Sequence, residues 1–199
     1  MLRKAVIPAA GLGTRLLPVT KELPKEMLPI YVRSDKGILL KPLLQVIFEV
    51  LFDTGFREFC FVVGKGKRAI EDHFTPDYGY VDLLMERGKE AMAQELRRFY
   101  DKVRRSVIIW VNQPEPLGFG DAVLKAKAFV GDEPFLVHAG DMLIYSKGHS
   151  YVNALIKAFE KCKGDACFLV KHVEHPARGG DHRLQTGRVL VGPGPERAA

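Results

Sequence analysis

Lys4-Ala5-Val6-Ile7-Pro8-Ala9-Ala10-Gly11-Leu12-Gly13-Thr14-Arg15 is the stretch on which the reading of this chain turns. Ala5-Val6-Ile7 is a short apolar run with two β-branched residues, which predicts a buried strand at 5–7. A glycine-rich turn follows at once. Gly11 and Gly13 let the backbone come close to a ligand, and successive N–H groups in such a turn can cradle phosphate oxygens. Arg15 adds a permanent positive charge with a planar fork of donors. The turn is not a dinucleotide fingerprint, because Leu16 stands at the third glycine position, and it is not a Walker loop, because no G-K-[ST] follows. On these residues alone, a phosphate cradle and a plain tight turn are equally good readings.

Outward from that turn, short apolar runs alternate with helical patterns. Leu43, Leu44, Ile47, Val50 and Leu51 share one face of a helix expected over 41–54, with Gly55 as its stop. Further strands are expected at 59–63, 107–111, 135–139 and 166–170. Helices are expected at 67–74, 82–100, 119–129 and 152–162. This order predicts an α/β fold, a mostly parallel, Rossmann-like sheet flanked by helices. Ligands in such sheets bind at the carboxyl ends of the strands. The pattern places one domain at 1–177 and an irregular tail at 178–199, rich in Gly, Pro and Arg, with loose coil from 192.

Composition narrows the function classes. The chain has 199 residues, ample for one domain and short for two. Its hydrophobic fraction of 47% and charged fraction of 27% are those of a soluble globular protein. No run of about 18 apolar residues is present to span a membrane, and residues 1–10 lack the longer apolar run of a secretory signal. The expected location is cytoplasmic. The net charge of +6 suits polyanionic ligands. The basic clusters Lys65, Lys67, Arg68 and Arg97, Arg98, Lys102, Arg104, Arg105 read as solvated faces, with no aromatic-interleaved nucleic-acid motif beside them. Cys60, Cys162 and Cys167 form too small and odd a set for a disulfide framework. Cys167, His172, His175 and His182 match none of the usual zinc spacings.

Thr20-Lys21-Glu22-Leu23-Pro24-Lys25-Glu26-Met27-Leu28-Pro29-Ile30 follows the glycine turn, stiffened by Pro18, Pro24 and Pro29. A rigid loop of this kind can hold Lys25 near a phosphate cradle. A-A-G-x-G-T-R followed by L-P-K-E-M-L-P-I resembles the amino-terminal signature of prokaryotic UTP–glucose-1-phosphate uridylyltransferases, among the sugar-1-phosphate nucleotidyltransferases. The likeness continues through Gly66-Lys67-Arg68-Ala69-Ile70-Glu71-Asp72-His73-Phe74 and Asn112-Gln113-Pro114-Glu115-Pro116-Leu117-Gly118-Phe119-Gly120-Asp121-Ala122-Val123. It ends with Val130-Gly131-Asp132-Glu133-Pro134-Phe135, which leads into Gly140-Asp141.

The resemblance implies uridylyl transfer from UTP to glucose 1-phosphate, giving UDP-glucose and pyrophosphate, with magnesium as cofactor; the composition and motifs above give the expectation of no nucleic-acid and no membrane partner. It implies that Ala10 and Gly11 face the nucleotide, that Gly13, Thr14, Arg15 and Lys25 bind the triphosphate and the departing pyrophosphate, that Gln113 and the Gly118 backbone hold the uracil, and that Asp141 binds magnesium. Gln113 is expected to offer both a donor and an acceptor to the O4/N3–H edge of the base. Asp141 read by itself, without the flanking motifs, is better taken as an ordinary turn or helix-capping residue.

The pattern also departs from the family. Residues 31–40 are an insertion expected to form a surface hairpin or loop, and Met142 stands where the family has a second Asp, beside an unusual His138. The family's E-K-P sugar segment and its later metal-binding Asp have no counterpart, and Gly187 is the weak match to its sugar-contacting glycine. These gaps give the expectation of a carboxyl-terminally truncated fold. They also predict an exposed edge at 166–170, and through it a homo-oligomer. A thymidylyltransferase and a nucleotide-binding remnant or regulatory subunit without turnover are the alternatives.

Overall fold

From Lys4 onward the chain alternates strands and helices as its apolar runs predict. The computed structural model describes residues 2–34, 37–146, 150–162, 164–170 and 189–192. These fall into two compact units, Met1–Leu143 and Ile144–Ala199. In the first unit β1 (Lys4–Pro8) is followed by β2 (Pro29–Ser34), β3 (Gly37–Pro42), α1 (Leu43–Asp53), β4 (Glu58–Val63) and α2 (Arg68–His73). Then come α3 (Tyr78–Glu86), α4 (Glu90–Arg104), β5 (Val107–Asn112), α5 (Phe119–Lys125), α6 (Lys127–Val130) and β6 (Phe135–Val137). The second unit holds α7 (Ser150–Lys161), β7 (Ala166–Leu169) and β8 (Val189–Gly192).

The main sheet has four strands in the order β5-β4-β1-β6, every neighbouring pair parallel. Strand alternation sends Phe59 and Phe61 of β4 to one face and Cys60 and Val62 to the other. The first face is aromatic. Phe48 of α1 meets Phe59 with ring centroids 4.8 Å apart, Phe74 meets Phe61 at 4.9 Å and Phe99 of α4 at 5.3 Å, and Trp110 of β5 stacks on Phe61 at 4.8 Å. Such pairs contribute about 0.5–1.5 kcal/mol each beyond the area they bury. The second face is aliphatic and packs Val6, Cys60 and Val62 against Ala122, Ala126 and Val130 of the α5–α6 region. A sheet covered on both faces explains why β1 and β4 read as nearly continuous apolar runs.

Several expected elements differ from those observed. The helix expected over 82–100 is two helices, α3 and α4, because Gly88 takes a left-handed φ of 66° that ends the first. The helix expected over 119–129 breaks at Ala126 into α5 and α6. The insertion at 31–40 is carried by an antiparallel hairpin, β2 with β3, whose Tyr31, Ile38 and Leu40 are exposed. The strand expected at 166–170 does not join the parallel sheet, since β7 pairs antiparallel with β8. That pairing corrects a further reading. Residues 189–192, placed in an irregular tail, form a strand. An apolar run marks a strand but not the partner it will find, so pattern alone could not separate the units. No helix among the described residues is long and apolar enough to cross a membrane.

Candidate active site

The strand order places a topological switch at β1. From β1 the chain builds outward through β4 and β5 on one side, and β6 then lies on the other. In open parallel sheets the crevice beyond the carboxyl ends at such a point receives the ligand. Ala9-Ala10-Gly11 leaves β1 there, and Ala139-Gly140-Asp141 leaves β6. Gly140 N–H donates to Pro8 O at 3.0 Å, and a Cβ on Gly140 would lie 3.0 Å from that oxygen and 3.3 Å from the Ala9 Cβ. Only glycine permits this contact without displacing the backbone. It sets Asp141 beside the glycine turn.

Three expected residues meet at that point. Lys25 Nζ donates to Asp141 Oδ2 at 2.6 Å, and a Cβ on Gly11 would come within 2.8 Å of the same Nζ. Gly11 is therefore the space through which the lysine reaches the carboxylate. Lys25 arrives on a 3₁₀ turn, Lys25–Met27, that follows Pro24. Gly13 has a φ of 69°, and its carbonyl accepts from Thr20 Oγ1 at 2.7 Å, which closes the turn carrying Thr14 and the exposed Arg15.

Gln113 and Gly118 lie on a second part of the same strand-end surface. A Cβ on Gly64, just past β4, would be 3.2 Å from Ala10 O and 3.5 Å from Gln113 O, so Gly64 seats the two segments side by side. Gln113 N–H donates to Val63 O at 2.7 Å. The Gln113 side chain is buried, and its Nε2 donates to Gly118 O at 3.2 Å and to Asp121 Oδ2 at 2.7 Å. Both amide protons are engaged within the protein. The expectation of a free donor and a free acceptor on Gln113 is corrected accordingly: Oε1 is the end left for a ligand. Gly187 lies outside the described residues.

Sequence reading missed a buried ion pair under this surface. Glu26 Oε2 accepts from Lys67 Nζ at 2.7 Å, with side-chain exposures of 1% and 8%. Glu26 Oε1 has no hydrogen-bond partner. Burial pushes the Glu26 carboxyl above its ordinary value, against the opposing pull of Lys67. Both residues lay in quoted motifs, L-P-K-E-M and G-K-R, but nothing in the pattern joined them. His138 is likewise buried, which lowers its pKa, and its Nδ1 lies 2.9 Å from Ala139 O, so that nitrogen carries the proton. Asp141 stands without a cluster around it. Among the described residues no group of three or more His, Cys, Asp or Glu could hold a metal.

The model of the nucleotidyl transferase family matches residues 4–180. The chain belongs to the nucleotidyl transferase family. It is 48% identical over 143 residues to a UTP–glucose-1-phosphate uridylyltransferase of Streptococcus pneumoniae, a match covering 72% of this chain and 44% of the relative. A protein of Methanocaldococcus jannaschii is 46% identical over 162 residues, covering 81% of this chain and 52% of that protein. Among nucleotidyl transferase structures, the UTP-bound UGPase from Acinetobacter baumannii superposes with a TM-score of 0.70 at 30% identity, over 82% of this chain and 54% of that one. A UDP-glucose pyrophosphorylase complexed with UDP-glucose gives 0.64 at 34% identity, over 81% and 54%. The chain thus spans about half the length of the relatives it matches.

Proposed function

We propose that this chain acts in uridylyl transfer from UTP to glucose 1-phosphate, forming UDP-glucose and releasing pyrophosphate. The observation that carries the reading is the meeting of Lys25, Asp141 and Gly11 at the switch point of a sheet whose relatives are uridylyltransferases. In the reaction a phosphate oxygen of glucose 1-phosphate attacks the α-phosphorus of UTP. A new P–O bond forms and the bond from that phosphorus to the bridging oxygen breaks. Two anions must meet and charge must move onto the leaving group, so positioning and fixed positive charge do most of the catalysis.

Ala10, Gly11, Gly13 and Thr14 would present backbone to the nucleotide, and Arg15 and Lys25 would neutralise the triphosphate and the departing pyrophosphate. Gln113 Oε1, with the Gly118 backbone beside it, would hold the base. A lone carboxylate at the end of β6 suits magnesium, which takes one or two carboxylates and completes its shell with substrate phosphates and water. Asp141 would hold that ion, which supplies positive charge to the phosphates when bound. Three free cysteines fit a reducing, cytoplasmic setting.

The test is an assay of the purified chain with UTP, glucose 1-phosphate and magnesium, reading pyrophosphate. The expected result is release that needs all three and slows by about a hundredfold in Lys25→Ala, the usual size of the loss when one charge-stabilising group is removed. Release that ignores glucose 1-phosphate, or a Lys25→Ala variant as fast as the parent, would contradict the reading.

A further inference from the structure

Asp121 lies eight positions beyond Gln113, in the first turn of α5, and has no part in the function proposed above. Its place beside Gln113 gives it one. A glutamine carboxamide can present either end to a ligand, and rotation by half a turn exchanges donor for acceptor. At Gln113 that choice is closed. The group is only 4% exposed, and the two atoms facing it, Gly118 O and Asp121 Oδ2, are both pure acceptors. Turned over, the amide would set its oxygen against two oxygens and strand both. The Gly118 carbonyl is fixed by the backbone and also accepts from Ala122 N–H at 3.2 Å. Asp121 is held by α5, whose Ala122 is packed in the aliphatic core, and Lys125 Nζ lies 3.9 Å from its second oxygen.

We propose that Asp121 is a positioning residue for base selection: it holds Gln113 Nε2, so that Oε1 is offered as an acceptor to the N3–H of a uracil-type base and opposes the N3 lone pair of cytosine. The proposal rests on the reading of Gln113 as the residue at the base. Thymine carries the same N3–H and passes the same filter, so the selection is against cytosine.

A first-turn aspartate also complements a helix dipole. That role alone would change stability and affect every nucleotide alike. The ratio of UTP to CTP affinity separates the two. Calorimetric titrations of the full chain with UTP and with CTP, in magnesium buffer, would be made on wild type, Asp121→Asn, Asp121→Ala and Gln113→Ala. Wild type is expected to prefer UTP. In Asp121→Asn the new amide can donate or accept, so Gln113 is free to turn, and the ratio should fall about tenfold, the scale of a lost hydrogen bond to a charged group. Asp121→Ala should act in the same direction. If Gln113→Ala leaves the ratio unchanged, Gln113 is not at the base and the underlying reading fails. If Gln113→Ala abolishes the preference while both Asp121 variants keep it, the role of Asp121 is overturned. Wild-type protein gives a second readout that needs no variant. With UTP bound, a through-hydrogen-bond NMR coupling should link Gln113 Nε2 to the Asp121 carboxyl carbon, and its absence would contradict the proposal.

Discussion

Glu26 and Lys67 are 41 positions apart in sequence and joined by one buried bond. Burying two charges costs desolvation that their attraction only partly offsets, whereas removing one partner strands the other. Lys67→Met should therefore lower the unfolding free energy by about 3–5 kcal/mol. Glu26→Gln combined with Lys67→Met should recover most of that loss. Urea unfolding followed through the single tryptophan, Trp110 on β5, would measure both. His73 gives a pH test. Its Nε2 lies 3.0 Å from Gln45 Oε1 and its ring stacks on Phe99 at 4.9 Å, and burial holds it below its ordinary value of 6.5. As the pH falls below 6.5, the unfolded imidazole takes its proton first. The stability present above that value is then lost as the pH passes down through the folded value. His73→Phe keeps the stacking and should flatten this part of the stability–pH curve. Glu26 is shifted up by burial and contributes with the opposite sign, with stability lost as the pH rises above 4.5, but equally in both proteins, so their difference isolates His73.

At the scale of elements, α1 is held to the sheet by its aromatic face. Phe48 is fully buried and touches Phe59, Phe74 and Phe99, so Phe48→Ala should cost about 3–5 kcal/mol of unfolding free energy in the same titration. The β2–β3 hairpin is different. Its base is tied by Leu43 N–H to Leu28 O at 3.0 Å, while Tyr31, Ile38 and Leu40 stand in solvent. Replacing 31–40 with a two-residue turn should leave UTP affinity within about twofold, because no residue of the candidate site lies on it. A larger loss would show that the hairpin supports the site. The elements legible in the sequence were those with a strong apolar period, β1, α1, β4 and β5. The break at Gly88 was not legible, because a single glycine inside a helical pattern is compatible with continuation or termination. The pairing of β7 with β8 was hidden for a related reason: β8 is four residues long and stands apart from any periodic pattern. The candidate site was proposed from motifs, and the structure joins two of them through the contact of Lys25 with Asp141. The orientation of Gln113 and the Glu26–Lys67 bond were not legible, because hydrogen-bond direction leaves no trace in residue spacing.

At the scale of the whole molecule, a basic chain with net charge +6 brings its glycine turn, Lys25 and Asp141 to one strand-end surface, and the function proposed for it is to bind a uridine nucleotide there. Binding to the folded state alone stabilises it by about 2.7 kcal/mol at a hundredfold excess over Kd, so UTP should raise the melting temperature as well. The most direct measurement is a calorimetric titration of the full chain with UTP in magnesium buffer, beside the same titration of Lys25→Ala. The proposed function predicts saturable binding at one site, weakened about tenfold or more in the variant, the scale of a lost charge-assisted contact to phosphate. No saturable heat with UTP, or equal affinities in the two proteins, would contradict it.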